Sequence, residues 1–458
     1  MTRTLARPDT AMTSTETKRD ADPAATYRRK LRTVRAAVDL VRPDDTVAAP
    51  IAGGQPAEFL TALAERDDWR SLTVFSGLLI APYPVLTNPN VRLVSGFYGP
   101  IERMLRSMGG RVDYLPADFI GWERYATIAR PRVVASALGP MDEHGYLNFG
   151  VHAGATFNAF VEAARDPERI AIGEIVRDMP HVHGLGRHGG NRIHVSEVDC
   201  LVETDRPLFV LPEIPVMPED GAIARHVESL IENGATLQIG IGGVPNIVAQ
   251  LLADGSKGDF GIHTEMLVDG IMRLHQAGKV SNHKGIHDGF SVCTFAAGSR
   301  GLYEWMDRNP EVRMLPVMEV NDPAIIRRNR NMVSINGAIA IDLAGQVTAE
   351  AIGPRQYSGV GGHELFVMGA HDSPGGKSII CLHSTARVDG TPVSTIVAAL
   401  PRGARVSTPR HHVQYVVTEW GVANIGMLTE TERVEALIAI AHPDFREALR
   451  ADAAALAG

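Results

Sequence analysis

Short apolar runs alternate along this chain with stretches of helical spacing, and glycine- or proline-rich turns mark most of the changes. In residues 27–42, Leu31, Val34, Val38 and Val41 share one face, which predicts a helix. Thr46 to Ile51 reads as a strand, Ala52-Gly53-Gly54-Gln55-Pro56 as a glycine turn, and residues 57–65 as a helix. Further strands are expected at Leu72–Phe75, Val133–Ala137, Ile170–Ile175 and Leu208–Leu211. The second half adds Thr236–Ile241, Val292–Phe295, Val333–Ile335, Ala338–Asp342, Ser378–Leu382 and Tyr415–Thr418. Helical spacing falls between them at 265–277, 300–308 and 430–441. Strands alternating with helices predict an α/β fold with mainly parallel, covered sheets. Ligands on such sheets sit beyond the C-terminal ends of the strands, where glycine turns feed helices.

The order of parts occurs twice. Helix, turn, strand, Gly53-Gly54-Gln55-Pro56 and helix match helix, turn, strand, Gly242-Gly243-Val244-Pro245 and helix. This reads as two related α/β halves, or as a chance likeness of two αβ units. Pro207, Pro212, Pro215 and Pro218 stiffen a connector between the halves and exclude a helix interior there. The expected organisation is therefore a disordered leader over 1–26, an N-terminal α/β domain over 27–215 and a C-terminal α/β domain over 216–458.

Composition narrows the class. At 458 residues the chain is long enough for two or three domains. The net charge of −8 and the lack of a long Lys/Arg stripe point away from nucleic acid. No apolar run approaches the roughly 18 residues needed to span a membrane, and the first 26 residues have no apolar signal region. Cys200, Cys293 and Cys381 are far apart and odd in number, which fits reduced thiols in a cytoplasmic protein rather than a disulfide framework.

The candidate chemistry centres on Gly261-Ile262-His263-Thr264-Glu265-Met266. Apolar spacing at Met266, Leu267, Ile271 and Leu274 places Glu265 in a helix's first turn, where the dipole favours an ionised carboxylate. An ordinary N-terminal carboxylate would look the same. Upstream, Gly240-Ile241-Gly242-Gly243-Val244-Pro245 joins a strand to a helix and offers exposed N–H groups, either as a ligand cradle or as a plain turn. A second glycine loop follows at Tyr357-Ser358-Gly359-Val360-Gly361-Gly362-His363. One carboxylate and two such loops supply a nucleophile, a surface for a long ligand and a donor for a developing oxyanion. His181, His183, His188 and His194 lie in a glycine-rich stretch without an acidic ligand pattern, so a solvated loop is expected and no metal. Asp142-Glu143-His144-Gly145 reads as a turn before a strand.

These pieces, in this order, resemble the acetyl-CoA hydrolase/transferase family of CoA-transferases, closest to its 4-hydroxybutyrate CoA-transferase branch. The resemblance runs from about residue 30 to 450. It is carried by Asp142-Glu143-His144-Gly145-Tyr146, Ile193-His194-Val195-Ser196-Glu197-Val198-Asp199, Gly234 to Gly242, Gly261 to Met266, Val320-Asn321-Asp322-Pro323, Tyr357 to Gly362, and Tyr415 to Gly421. It implies two α/β domains of CoA-transferase type with the site between them. It implies that Glu265 accepts the acyl group, that Gly362 supplies an oxyanion-binding amide and that Asn321 lies near the reacting carbonyl. Coenzyme A is then expected against Gly240, Ile241, Gly242, Gly243 and Val244 and against Ser358, Gly361 and Gly362. Two segments depart from the family pattern: Gly184 to Asn191 looks expanded, and Val422 to Met427 lacks the usual Arg-Gly-Lys.

The activity so implied is transfer of CoA from an acyl-CoA to a small carboxylate of the 4-hydroxybutyrate, acetate or butyrate type. It would proceed by ping-pong through a glutamyl-CoA thioester, with CoA as substrate and no permanently bound cofactor. Hydrolysis of the acyl-CoA, or CoA binding without turnover, are the alternatives. A homo-oligomer, acting without nucleic acid or membrane, is expected on the same resemblance.

Overall fold

The structure, a computed structural model, describes residues 22–185 and 190–457. Most of the expected leader lies outside these residues, but a helix, Pro23–Lys30, begins within its last part. Asp22 sets that start: its side chain accepts from the N–H groups of Ala24 and Ala25, and Pro23 occupies the first turn. The helix expected over 27–42 is split. It ends at Lys30, Leu31 pairs with Leu201 in a bridge, and Thr33 caps a new short helix, Val34–Val38.

Seven strands form the first sheet, in spatial order Arg111–Tyr114, Val91–Ser95, Leu72–Gly77, Thr46–Ile51, Val133–Leu138, Ile170–Val176 and Cys200–Thr204. Every pairing within it is parallel. Val133–Leu138 is buried along its whole length, the mark of a central strand covered on both faces. The second sheet runs Gly261–Ile262, Thr236–Ile239, Met332–Gly337, Lys377–Cys381, Tyr415–Thr418 and Gly421–Asn424. It is parallel except for its last hairpin. The repeated order of parts is present in both halves: Val34–Val38, Thr46–Ile51 and Ala57–Ala62, then Asp220–Leu230, Thr236–Ile239 and Gly243–Asp254.

The mixed α/β, mainly parallel architecture agrees with the alternation in the sequence. Two of the expected strands fail. Leu208–Leu211 is not a strand, because Pro207 and Pro212 flank it and lack N–H donors; it is held by Leu211 N–H to Gly298 O, 3.0 Å, and by Tyr303 Oη to Phe209 O, 2.9 Å. Val292–Phe295 breaks at Thr294 into two pieces with different partners, Ser291–Cys293 with Val312–Met314 and Phe295–Ala296 with Met266–Leu267.

The halves pack as one body near the site. Ala137, Val151 and Met179 belong to the same apolar core as Leu237, Ile262 and Leu267, and Phe295 and Val317 join the core around Phe119 and Trp122. Cys200, Cys293 and Cys381 are buried and free. Among the described residues no helix is long and apolar enough to cross a membrane.

Candidate active site

Glu265 does not open a helix. It stands between two very short strands, Gly261–Ile262 and Met266–Leu267, and the helix begins later, at Asp269. The periodicity that suggested otherwise is shared between two elements: Met266 and Leu267 pair with Phe295 and Ala296, while Ile271 and Leu274 lie on the helix. Its carbonyl is fixed by the N–H groups of Thr294 and Phe295, at 3.0 and 3.2 Å. The side chain therefore leaves a rigid corner of sheet, and it has no helix of its own to favour its charge.

Its surroundings do the opposite. Burial pushes the Glu265 carboxyl up to about 7, opposed by the Asn321 amide and by the N–H of Gly362. Part of the carboxylate faces a cavity of about 420 Å³, while protein encloses the rest. Near neutral pH this acid is half ionised and poorly hydrated, a state suited to a carboxylate nucleophile.

Two donors converge on the carboxyl group. Asn321 Nδ2 donates to Glu265 Oε2 at 2.5 Å. Asn321 follows the short helix Val317–Val320 and is fully buried. The carbonyl of Val320, just before it, is held by His263 Nε2 at 2.7 Å. Burial lowers the His263 pKa to about 3, so the ring is neutral and serves as a fixed hydrogen-bonding strut. The sequence reading assigned His263 no role, and its position two residues before Glu265 was the one available signal.

Gly362 is the second donor, at the entry to the helix His363–Asp372. A Cβ there would lie 2.1 Å from Glu265 Oε2 and 2.4 Å from Asn321 Nδ2, so only glycine lets the backbone come this close. Its loop is anchored to the first half of the chain. Gly361 O accepts from Phe119 N–H at 3.0 Å, and Arg103 donates to Tyr357 O and lies over the Tyr357 ring at 4.2 Å. Glu350 O takes the N–H groups of Tyr357 and Ser358, and Gln356 Nε2 reaches Ser358 O at 2.7 Å.

Of the other expected contacts, Ile241, Ser358 and Gly361 line the cavity with Glu265. Gly240, Gly242, Gly243 and Val244 do not line it, and form the turn behind Ile241. Gly242, at φ 133°, enters the helix Gly243–Asp254. The buried Asp220 carboxylate closes on Gly243: a Cβ built at Gly243 would lie 1.8 Å from Asp220 Oδ2. That carboxylate also accepts from Met217 N–H and pairs with His383, both at 2.7 Å. A helix N-terminus faced by a carboxylate disfavours a phosphate beside it.

The remaining candidates lie apart from the cavity. Asp142 Oδ1 accepts from the N–H groups of His144 and Tyr146, forming the expected turn before the strand Tyr146–Asn148. His188 lies outside the described residues; His181 and His183 pack ring against ring at 5.4 Å. Among the described residues, no group of three or more His, Cys, Asp or Glu is placed to hold a metal ion. The cavity has further walls that no motif announced, including Phe97, Phe119, Trp122, Phe209 and Phe295.

Residues 298–453 match the family described as acetyl-CoA hydrolase/transferase C-terminal domain. The succinyl-CoA:cyclohexane-1-carboxylate CoA transferase of Geobacter metallireducens is 38% identical over 92% of this chain and 94% of its own. The 4-hydroxybutyrate coenzyme A transferase of Clostridium kluyveri is 37% identical over 92% of this chain and 97% of its own. The crystal structure of RipA from Yersinia pestis is similar at a TM-score of 0.87 and 36% identity, over 95% of this chain and 99% of that one.

Proposed function

This chain belongs to the acetyl-CoA hydrolase/transferase family, and from that premise we propose how its residues carry out acyl-CoA:carboxylate CoA transfer. It is a CoA-transferase that moves CoA between an acyl-CoA and a small carboxylic acid. Glu265 is the nucleophile. It attacks the acyl-CoA carbonyl, CoA leaves as thiolate, and a glutamyl–acyl anhydride forms. The thiolate then attacks the glutamyl carbonyl, releasing the first carboxylate and leaving a glutamyl-CoA thioester. A second carboxylate attacks that thioester to form a new anhydride. The thiolate finally takes the new acyl group and frees Glu265. Each step exchanges one acyl bond for another and needs no net proton transfer.

The observation that carries this reading is the buried Glu265 carboxylate held by two donors, Asn321 Nδ2 on Oε2 and the Gly362 N–H on the same carboxyl group. In two of the four steps the glutamyl carbon itself is attacked, and its oxygen becomes the oxyanion. Asn321 Nδ2 already points at Oε2 and the Gly362 N–H at the same carboxyl group, so the donors that stabilise those transition states are in place before the reaction. CoA approaches along Ile241, Ser358 and Gly361. The Asp220 carboxylate behind the turn fits the uncharged pantetheine arm there better than the phosphates. The active site then lies between an N-terminal and a C-terminal lobe divided near residue 215, since one sheet ends at Thr204 and the other begins at Thr236. The same reading includes a homo-oligomer in the cytoplasm, supported by the family resemblance and by three isolated thiols.

The direct test is chemical. Incubation with an acyl-CoA followed by borohydride should convert Glu265 to the corresponding alcohol, visible as a peptide mass change. Absence of that mark in an active preparation would remove Glu265 from the mechanism. Adding a carboxylate acceptor separates transfer from hydrolysis, since a transferase yields a new CoA ester and a hydrolase releases free thiol.

Two further results are expected. Because the ionised carboxylate attacks, kcat/KM should fall as pH drops through about 7, tenfold per unit below it, whereas an unperturbed glutamate would leave the rate flat above about pH 5.5. A pH–rate profile with a constant acyl-CoA donor reads this. Asn321→Ala should lower kcat by roughly 10–100-fold, since it removes one oxyanion donor and leaves the second. Initial rates at saturating CoA ester measure it.

A further inference from the structure

Three adjacent parallel strands, Thr46–Ile51, Leu72–Gly77 and Val91–Ser95, end side by side at the catalytic cavity. The residues that follow them form the wall facing Glu265: Ala52, Leu78, Ile80 and Phe97. This wall comes from the half of the chain opposite Ile241 and Ser358. It is therefore the acyl side, on the reading of Glu265 given above.

The wall is rigid and apolar. Phe119 meets Trp122 at 5.7 Å and Phe295 edge-on at 6.0 Å, so the cavity floor is a packed aromatic box. Ala52 and Leu78 both hold φ near 44°, unusual for side-chain-bearing residues, and Ala52 N–H bonds Leu78 O at 3.3 Å. Such left-handed positions persist where the surroundings enforce them. The polar groups just behind are occupied in doing so. Gln55 Oε1 takes Ile80 N–H at 3.1 Å and Tyr83 Oη at 2.9 Å, and Glu102 Oε1 takes Leu79 N–H at 3.0 Å. None of them lines the cavity.

Among the described residues lining the cavity, Arg103 is the one cation. Its Nη1 donates to Tyr357 O and Tyr98 O, and the guanidinium lies over the Tyr357 ring, at the Tyr357 side of the cavity. A second carboxylate or a terminal hydroxyl directed at Ala52, Leu78, Ile80 and Phe97 would thus lose its water against side chains that offer no hydrogen bond. The volume, about 420 Å³, also exceeds what a two-carbon acyl group and the thiol end of the pantetheine arm fill together.

We infer that the acyl pocket selects apolar monocarboxylates of about four to seven carbons, straight, branched or alicyclic, over acetate, 4-hydroxybutyrate and succinate. The balance of each transfer is that of the exchange above; only the acyl group differs.

The experiment is an acceptor panel with propionyl-CoA as common donor and the wild-type chain. Acetate, butyrate, hexanoate, cyclohexanecarboxylate, 4-hydroxybutyrate and succinate are compared by kcat/KM, with new CoA esters identified by mass. Hexanoate and cyclohexanecarboxylate should exceed acetate by about 100-fold or more, and the two polar acceptors by about 10–100-fold. Ile80→Lys, on the half-buried wall, should erase at least tenfold of the preference for hexanoate over succinate. Preference for acetate, succinate or 4-hydroxybutyrate, or an equal response to all, overturns the inference while the borohydride mark at Glu265 still stands. Failure of every acceptor together with loss of that mark overturns both the selectivity and the assignment of Glu265. An unchanged hexanoate-to-succinate ratio in Ile80→Lys also overturns it, because that wall would not touch the acyl group.

Discussion

Glu265→Gln should lose at least three orders of magnitude in kcat, about 4 kcal/mol of barrier, and should form no covalent CoA adduct. The amide keeps the size of the carboxylate and its oxygen can still accept from Asn321 Nδ2, so the site geometry is largely kept. What it lacks is a lone pair able to displace thiolate and a charge to be consumed in the attack. A second signature separates this variant from a misfolded one. Burial raises the folded-state pKa of Glu265 from 4.5 to about 7. Below 4.5 the group is protonated in both folded and unfolded chains and costs nothing. As pH rises from 4.5 through 7 the unfolded chain ionises first, and the native state loses up to about 3 kcal/mol. The substituted amide does not ionise. The variant should therefore match the wild type in stability near pH 4.5 and exceed it above pH 7, as read by thermal or urea unfolding at both pH values. Inactivity with lowered stability at about pH 8 would point to structural damage and would withdraw the interpretation. Wild-type turnover in the variant would exclude Glu265 as nucleophile.

That prediction inverts the environment first read from the sequence. The residue itself was legible, because few contexts place one acid within Gly-Ile-His-Thr-Glu-Met between two glycine loops. Its setting was not. Met266 and Leu267 extend a helical period in the one-dimensional pattern, yet they pair with Phe295 and Ala296, some thirty residues away. Local spacing carries no trace of such a partner. With that helix goes its dipole, and desolvation outweighs the lowering by Asn321 and by the Gly362 N–H at the start of a different helix. Asn321 and Gly362 were legible only through their family motifs, and the chain brings both to the same carboxyl group. The acyl wall was invisible for a different reason. Ala52, Leu78 and Phe97 follow three separate strands, and each looks like an ordinary strand end until parallel pairing sets the three strands side by side. The alternation of strands and helices was legible because burial of parallel strands imposes it directly on composition.

Gly362→Ala should lower kcat by about 10²–10³, with a smaller change in KM for acyl-CoA. The backbone is not the obstacle: Gly362 has φ −96°, which alanine adopts freely. The obstacle is the methyl group, which would stand 2.1 Å from Glu265 Oε2 and 2.4 Å from Asn321 Nδ2. Both side chains must swing away, so one substitution breaks the two hydrogen bonds that aim the nucleophile and moves the oxyanion donors off their atom. Gly361→Ala is the matched control. There φ is +55°, and the nearest built contact is Phe97 Cε2 at 3.5 Å, with Glu265 Oε1 at 3.6 Å. It should cost about 1–2 kcal/mol of stability through left-handed strain and spare most of kcat. The two variants thus separate backbone strain from loss of aim within neighbouring residues. A Gly362→Ala enzyme that kept wild-type kcat would show that Oε2 is not where negative charge develops. Equal kcat losses in both variants would assign the effect to the loop's conformation instead. Because the methyl points at a side chain that already borders the cavity, the carboxylate can move into that space and the fold should survive, leaving the rate to report on catalysis.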